Sequence, residues 1–213
     1  MKKKGSAVGT SRSAATKKKI RRSALKVFAK NGFEGSSLRQ IARDANVTDA
    51  LIHYHFGGKE KLWREVASEL YDKMHIRSDA DLRESDGVDE LTEMAVRTRS
   101  LMEFLLENPD LHALIAPELQ NHSPRTDFLI SNFYKPRFFT ALKGISKAQE
   151  MGELPPGPPV LLNIIVISLA AVLVQRAGEI ECLTGRSVHD KALQEEFWAQ
   201  IEWLIFRPAR DRK

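Results

Sequence analysis

The chain has a single cysteine, Cys182, in 213 residues, which excludes an internal disulfide and fits a reducing cytoplasm. No stretch alternates apolar and polar residues at the period of a strand, so a sheet protein is excluded. No apolar run reaches the roughly twenty residues that a bilayer needs. The longest, VLLNIIVISLAAVLV at 160–174, is interrupted by Asn163 and Ser168, and no apolar stretch follows the lysines at the start as a signal peptide would require. Also missing are a Gly-rich phosphate loop, a nucleophile elbow and an HExxH pattern, since the pair at Gly57 and Gly58 is isolated. His53 and His55, two apart on a helix, point away from each other, and His112, His122 and His189 are scattered. No enzyme, cofactor or metal site is therefore expected.

Acidic residues are absent from the first 33 positions, which hold eleven Lys or Arg; the first acid is Glu34. Residues 1–78 carry +11 and the remainder −6, which together make the net +5. A basic end on an acidic body suits a protein that sets one end against phosphate. Residues 1–15, with Gly5, Gly9 and few large apolar side chains, read as a disordered basic arm. Such an arm has two readings, a minor-groove contact or general electrostatic attraction.

Residues 36–60, SSLRQIARDANVTDALIHYHFGGKE, read as two short helices around a tight turn. Leu38, Ile41, Ala42 and Ala45 recur at three-and-four spacing, which predicts a first helix over 37–45 capped by Ser36 or Ser37. Asn46 tolerates the left-handed backbone that the turn requires. Thr48 is a good N-cap for a second helix, in which Leu51, Ile52 and Phe56 face inward while Asp49, Ala50, His53 and Tyr54 point outward. This is a helix-turn-helix, and its outward residues are the candidate readers of duplex DNA.

The segments IRRSALKVF at 20–28, GF at 32–33, SSLRQIA at 36–42, ANVT at 45–48 and HYHFGGKEKLW at 53–63 resemble the DNA-binding domain of the TetR family of bacterial transcriptional regulators. The departures are Asn46 where the family more often has Gly, His53 where it often has Tyr, and Gly57 where it often has Pro. The resemblance implies that Ser37 and Arg39 start the second helix near DNA, with Arg39 in reach of a phosphate or a guanine edge. Thr48, Asp49, Ala50 and Leu51 would open the recognition helix in the major groove, with Asp49 serving either a cytosine amino group or the helix dipole. His53 and Tyr54 would lie at the groove wall, and His55 would be partly packed. Lys59, in the first turn of the next helix, would hold a phosphate together with free backbone amides.

The remainder reads as helical with clear breaks. A connecting helix is expected over 60–77, a polar join over 78–87, and helices over 88–107 and 110–120. A long helix over 124–149 should be kinked or split at Pro136. After the linker MGELPPGPP, helices at 160–174 and 188–206 complete the chain.

The predicted fold is thus all-α, with a three-helix DNA-binding domain over 16–62 and a helical ligand-binding and dimerisation domain over 63–213. Leu101, Met102, Leu105, Phe128, Phe133, Tyr134 and Phe138 are the candidates for lining an effector cavity, although the same residues suit ordinary bundle core. Glu118, Gln120, Asn121, His122, Arg125 and Asn163 are possible polar points in such a pocket. The resemblance implies that the last two long helices of each of two subunits form a four-helix interface, with Ile164, Ile167, Leu169, Phe197, Trp198 and Ile201 as its candidates. The partners expected are double-stranded DNA, a second copy of the chain and a small apolar or amphipathic effector, with no membrane. The reading is a repressor released from a palindromic operator. A ligand-independent activator or architectural DNA-binding protein is the alternative, and a helical enzyme the remote one.

Overall fold

The computed structural model describes residues 6–85 and 88–206, and all regular structure among them is helical. It divides into two compact units, Met1–Tyr71 with Ala113–Thr126, and Asp72–His112 with Asp127–Lys213. In the first unit α1 (Ser6–Asn31) packs on α2 (Leu38–Asp44), and α2 on α3 (Asp49–Phe56). Ile20, Ala24, Phe28, Ile41, Ala42, Ile52, Phe56, Leu62 and Trp63 are among its buried apolar residues. The expected disordered arm meets a different outcome over 6–15, where α1 already runs from Ser6. Ala14, Ala15 and the lysines after them are good helix formers and join a helix anchored further on by Ile20 and Ala24. Residues 1–5 lie outside the described residues.

The connection between α1 and α2 is built by close approach. Gly35 must be glycine, since a Cβ there would stand 2.4 Å from the Asn31 carbonyl oxygen. Buried Ser36 donates its hydroxyl to the carbonyl of Gly32 at 2.6 Å. Phe33 then stacks on Phe28 with centroids 5.9 Å apart.

The long helix α4 (Lys59–Glu84) outruns its expected end by seven residues. The supposed join over 78–87 is polar because its side chains pair. Asp79 accepts from both terminal guanidinium nitrogens of Arg137 at 3.0 Å and from Arg97 at 3.1 Å, and Arg77 pairs with Glu103 and Glu107. The hydrogen bonds from Arg137, joined by Arg97, hold the Asp79 carboxyl well below the usual carboxylate range.

In the second unit α5 (Glu90–Glu107) packs against α8 (Lys135–Glu150) and α9 (Pro159–Gln175). Asp89 caps α5 by accepting from the Thr92 amide at 2.7 Å. Between α5 and α8 lie α6 (Pro109–Leu119) and α7 (Pro124–Leu129). The predicted break at Pro136 takes the form of a π-helical turn over Ile130–Tyr134 immediately before the proline, so the helical path continues into α8 with its hydrogen-bond register shifted. Then come α10 (Ala177–Thr184), which periodicity alone did not suggest, and α11 (Lys191–Ile201) with a π-helical turn to Phe206. Met102, Ile145, Leu162, Val166, Leu173, Trp198, Ile201 and Phe206 belong to one buried cluster.

Candidate nucleic-acid interface

Both reading elements begin on the caps that the sequence contains. Ser37, in extended conformation, accepts from the Gln40 amide at 3.2 Å, while the Gln40 side chain accepts from the Ser37 amide at 3.0 Å. This reciprocal box fixes the start of α2. Asn46 adopts the left-handed conformation, with φ 47°, and the Val47 amide closes the turn on the Ala42 carbonyl at 2.9 Å. Thr48 then caps α3 by accepting from the Leu51 amide at 3.3 Å. At the other end Gly57, with φ 75°, stops the helix and donates its amide to the His53 carbonyl at 2.8 Å.

With those ends fixed, the faces of α3 follow from the helical period. Ile52 and Phe56 are buried, whereas Ala50, His53 and Tyr54 are exposed, Tyr54 to 82%. Asp49 occupies the first turn, where a carboxylate complements the helix dipole. Leu51 is half-buried, between its two expected roles. His55 is half-buried too, edge-on to Tyr54 at 5.1 Å. Arg39 is exposed on α2. Arg43, one helical turn further along, is exposed as well, and the four-residue spacing from Arg39 was the signal that could have found it.

Lys59 departs from its expected role. Its ammonium donates to the carbonyls of Phe33 at 2.9 Å and Ser36 at 3.0 Å, and it lies 4.2 Å from the centre of the Phe33 ring. Those bonds tie the α1–α2 connection to the start of α4, so this lysine helps to close the fold of the first unit, the head that carries α1, α2 and α3. Lys61 is the exposed cation nearby, close enough that a Cβ on Gly57 would stand 3.6 Å from its ammonium.

The residues assigned from sequence to an effector pocket are packed in the body. Met102 and Leu105 are buried, and Leu101 packs against the core cluster. Phe128, Phe133, Tyr134 and Phe138 are half-buried, with Phe128 and Phe133 edge-to-face at 5.6 Å. An open cleft of about 530 Å³ lies elsewhere, lined by Phe139, Leu142, Lys143, Lys147, Pro159 and Val160. Of the possible polar points, Glu118 and Arg125 pair with each other at 3.0 Å.

The partner-facing residues divide. Ile164 is exposed, and Ile167, Leu169 and Phe197 are half-buried. Trp198 and Ile201 are instead 4% and 1% exposed, because they fill the chain's own core and are closed to a partner. Among the aliphatic residues that α9 leaves in solvent, Leu161, Ile164 and Ile165 are each at least half exposed, and Val160 less so. Among the described residues no single helix is long and apolar enough to cross a membrane, and no three His, Cys, Asp or Glu side chains converge as metal ligands.

A capped two-helix unit with an exposed second helix, carried on a separate helical body, defines a helix-turn-helix regulator fold. Residues 20–66 match the family described as bacterial regulatory proteins, tetR family. The HTH-type transcriptional repressor NicS of Pseudomonas putida is 31% identical over 103 residues, about half the length of either chain, at 48% of each. The HTH-type transcriptional regulator RutR of Escherichia coli is 24% identical over 199 residues, 93% of this chain and 92% of that one. The crystal structure of AibR in complex with isovaleryl coenzyme A and operator DNA shares the fold, with a TM-score of 0.72, 15% identity, and coverage of 91% of this chain and 99% of that one. Over residues 20–66 the chain is thus similar to the tetR family, and the relatives it matches carry the names of transcriptional regulators.

Proposed function

We propose that the protein is a sequence-specific transcriptional regulator that binds duplex DNA as a twofold dimer in the cytoplasm, and that it is a repressor lifted from a palindromic operator by a small apolar or amphipathic effector. The observation that carries this reading is the face of α3, where Ala50, His53 and the highly exposed Tyr54 stand clear between two fixed helix ends. Ala50 suits contact with a thymine methyl group, and Tyr54 and His53 offer polar tips to the groove wall. Arg39, Arg43 and Lys61 supply phosphate contacts. Ser37 and Thr48 act through their caps, which aim the two helices.

Dimerisation is supported by Leu161, Ile164 and Ile165 on α9, whose exposure a second copy would remove. Repression is supported by the name of NicS as a repressor. Control by an effector is supported by AibR, crystallised with both isovaleryl coenzyme A and operator DNA. An effector would act by favouring the conformation in which the two heads no longer fit consecutive half-sites.

Selection of bound duplexes from a random library tests the reading. The expected product is an inverted repeat whose half-sites lie about one helical turn apart. Retention of no duplex, or retention insensitive to salt, would overturn it.

A further inference from the structure

Arg125 is charged and mostly buried, with its side chain 12% exposed, and it faces three carboxylates at once. Its Nε pairs with Glu118 at 3.0 Å, one terminal nitrogen with Glu60 at 3.4 Å and the other with Glu34 at 3.3 Å. The guanidinium carbon lies 3.7 Å from the centre of the Phe33 ring, the ring that Lys59 also covers. Three parts of the chain therefore meet on one planar cation: the end of α6 through Glu118, the start of α4 through Glu60, and the α1–α2 connection through Phe33 and Glu34. A guanidinium suits this because its donors diverge in a plane whose face can stack on an aromatic ring.

The segment that supplies Arg125 is itself braced. Ser123 donates to the Glu118 carboxylate at 3.1 Å and accepts from the Thr126 amide at 3.1 Å, while the Thr126 hydroxyl donates to the Glu118 carbonyl at 2.7 Å. Residues 113–126 pack with the head, although α6 and α7, which supply them, both continue into the second unit.

We propose that Arg125 is a positioning residue for DNA reading, holding the α1–α2 connection and the first turn of α4 in the arrangement that presents α3, without touching DNA itself. The proposal rests on the DNA-binding reading above. Loss of the clasp should loosen the aim of α3 and leave the phosphate contacts in place. Specific and nonspecific binding must then respond differently, because phosphate contacts dominate the second and aim matters only for the first.

The test uses the full chain with Arg125→Ala, Arg125→Lys and Glu34→Gln, a duplex selected by the wild type, and an unrelated duplex of equal length. Arg125→Ala is expected to weaken specific binding on the order of tenfold, a typical coupling between sites, with nonspecific affinity and salt slope unchanged. Amide exchange in the free protein should rise at 33–37 and 59–62 while the interior of α3 stays protected. Arg125→Lys, which cannot span three carboxylates, and Glu34→Gln, which weakens one limb, should give smaller losses in the same direction. Wild-type affinity and exchange in Arg125→Ala would overturn the proposal. So would an equal loss on both duplexes with a flatter salt slope, the mark of a direct contact. If Arg125→Ala shows no cooperative thermal transition, the two milder variants decide by the same readouts. If the wild type selects no duplex, the DNA-binding reading fails, while unchanged exchange in the free variant would refute the clasp on its own account.

Discussion

Lys59 and Lys61 are two positions apart and face different surroundings, which sets opposite expectations for their removal. Lys59→Ala leaves the carbonyls of Phe33 and Ser36 without their donor and should lower the stability of the head by about 1–3 kcal/mol in denaturant titration. Its effect on DNA affinity should come without a change in salt slope. Lys61→Ala should leave stability near wild type and flatten the salt dependence by about one phosphate. Binding titrations across salt for both variants check this, and a flattened slope in Lys59→Ala with normal stability would reverse the assignment. The difference was not legible in the sequence, because the partners of Lys59 lie 23 and 26 residues away and become neighbours only on folding. Asn46 was legible, since left-handed tolerance is a property of one residue and its turn.

At the scale of elements, caps and breaks read well and lengths did not. Ser37, Thr48 and the proline-rich linker mark ends by local chemistry. The tail of α4 looked like a loop because it is polar, yet Arg77 and Asp79 find charged partners on α5 and α8 that no local pattern reveals. The eight-residue α10 is too short for its period to declare itself. Within the body His112 on α6 meets Gln175 at the end of α9, with side-chain nitrogens 3.0 Å apart. An amide N–H donates, so the imidazole accepts and is neutral, and burial pushes its pKa below the ordinary value of 6.5. The unfolded chain takes up this proton more readily, so stability should fall as pH drops through about 6.5 and be fully present above it. His75, also lowered chiefly by burial, acts in the same direction. Denaturation midpoints from about pH 7.5 to 5.5 should show the loss, and His112→Gln should reduce it. An unchanged pH profile in that variant would remove His112 from the account.

For the whole molecule, the decisive distinction is between apolar surface that the chain covers itself and surface that it leaves open. The sequence identified the two apolar helices but could not divide their faces, since a helix apolar all round has no period to read. Ile164→Glu should therefore yield a folded protomer that sediments as a monomer and loses affinity for a palindromic duplex. Trp198→Ala should instead lower the melting temperature, at a cost of about 3–5 kcal/mol typical of a buried aromatic. A stable dimer of Ile164→Glu by sedimentation would move the interface off α9.

The open aliphatic stripe on α9 also makes abundance a variable of folding. If a second copy covers Leu161, Ile164 and Ile165, association and folding are linked by mass action, and the melting temperature should climb with protein concentration. Dilution then does more than empty the operator: it strips each protomer of its shelter and leaves oily side chains to whatever surface meets them first.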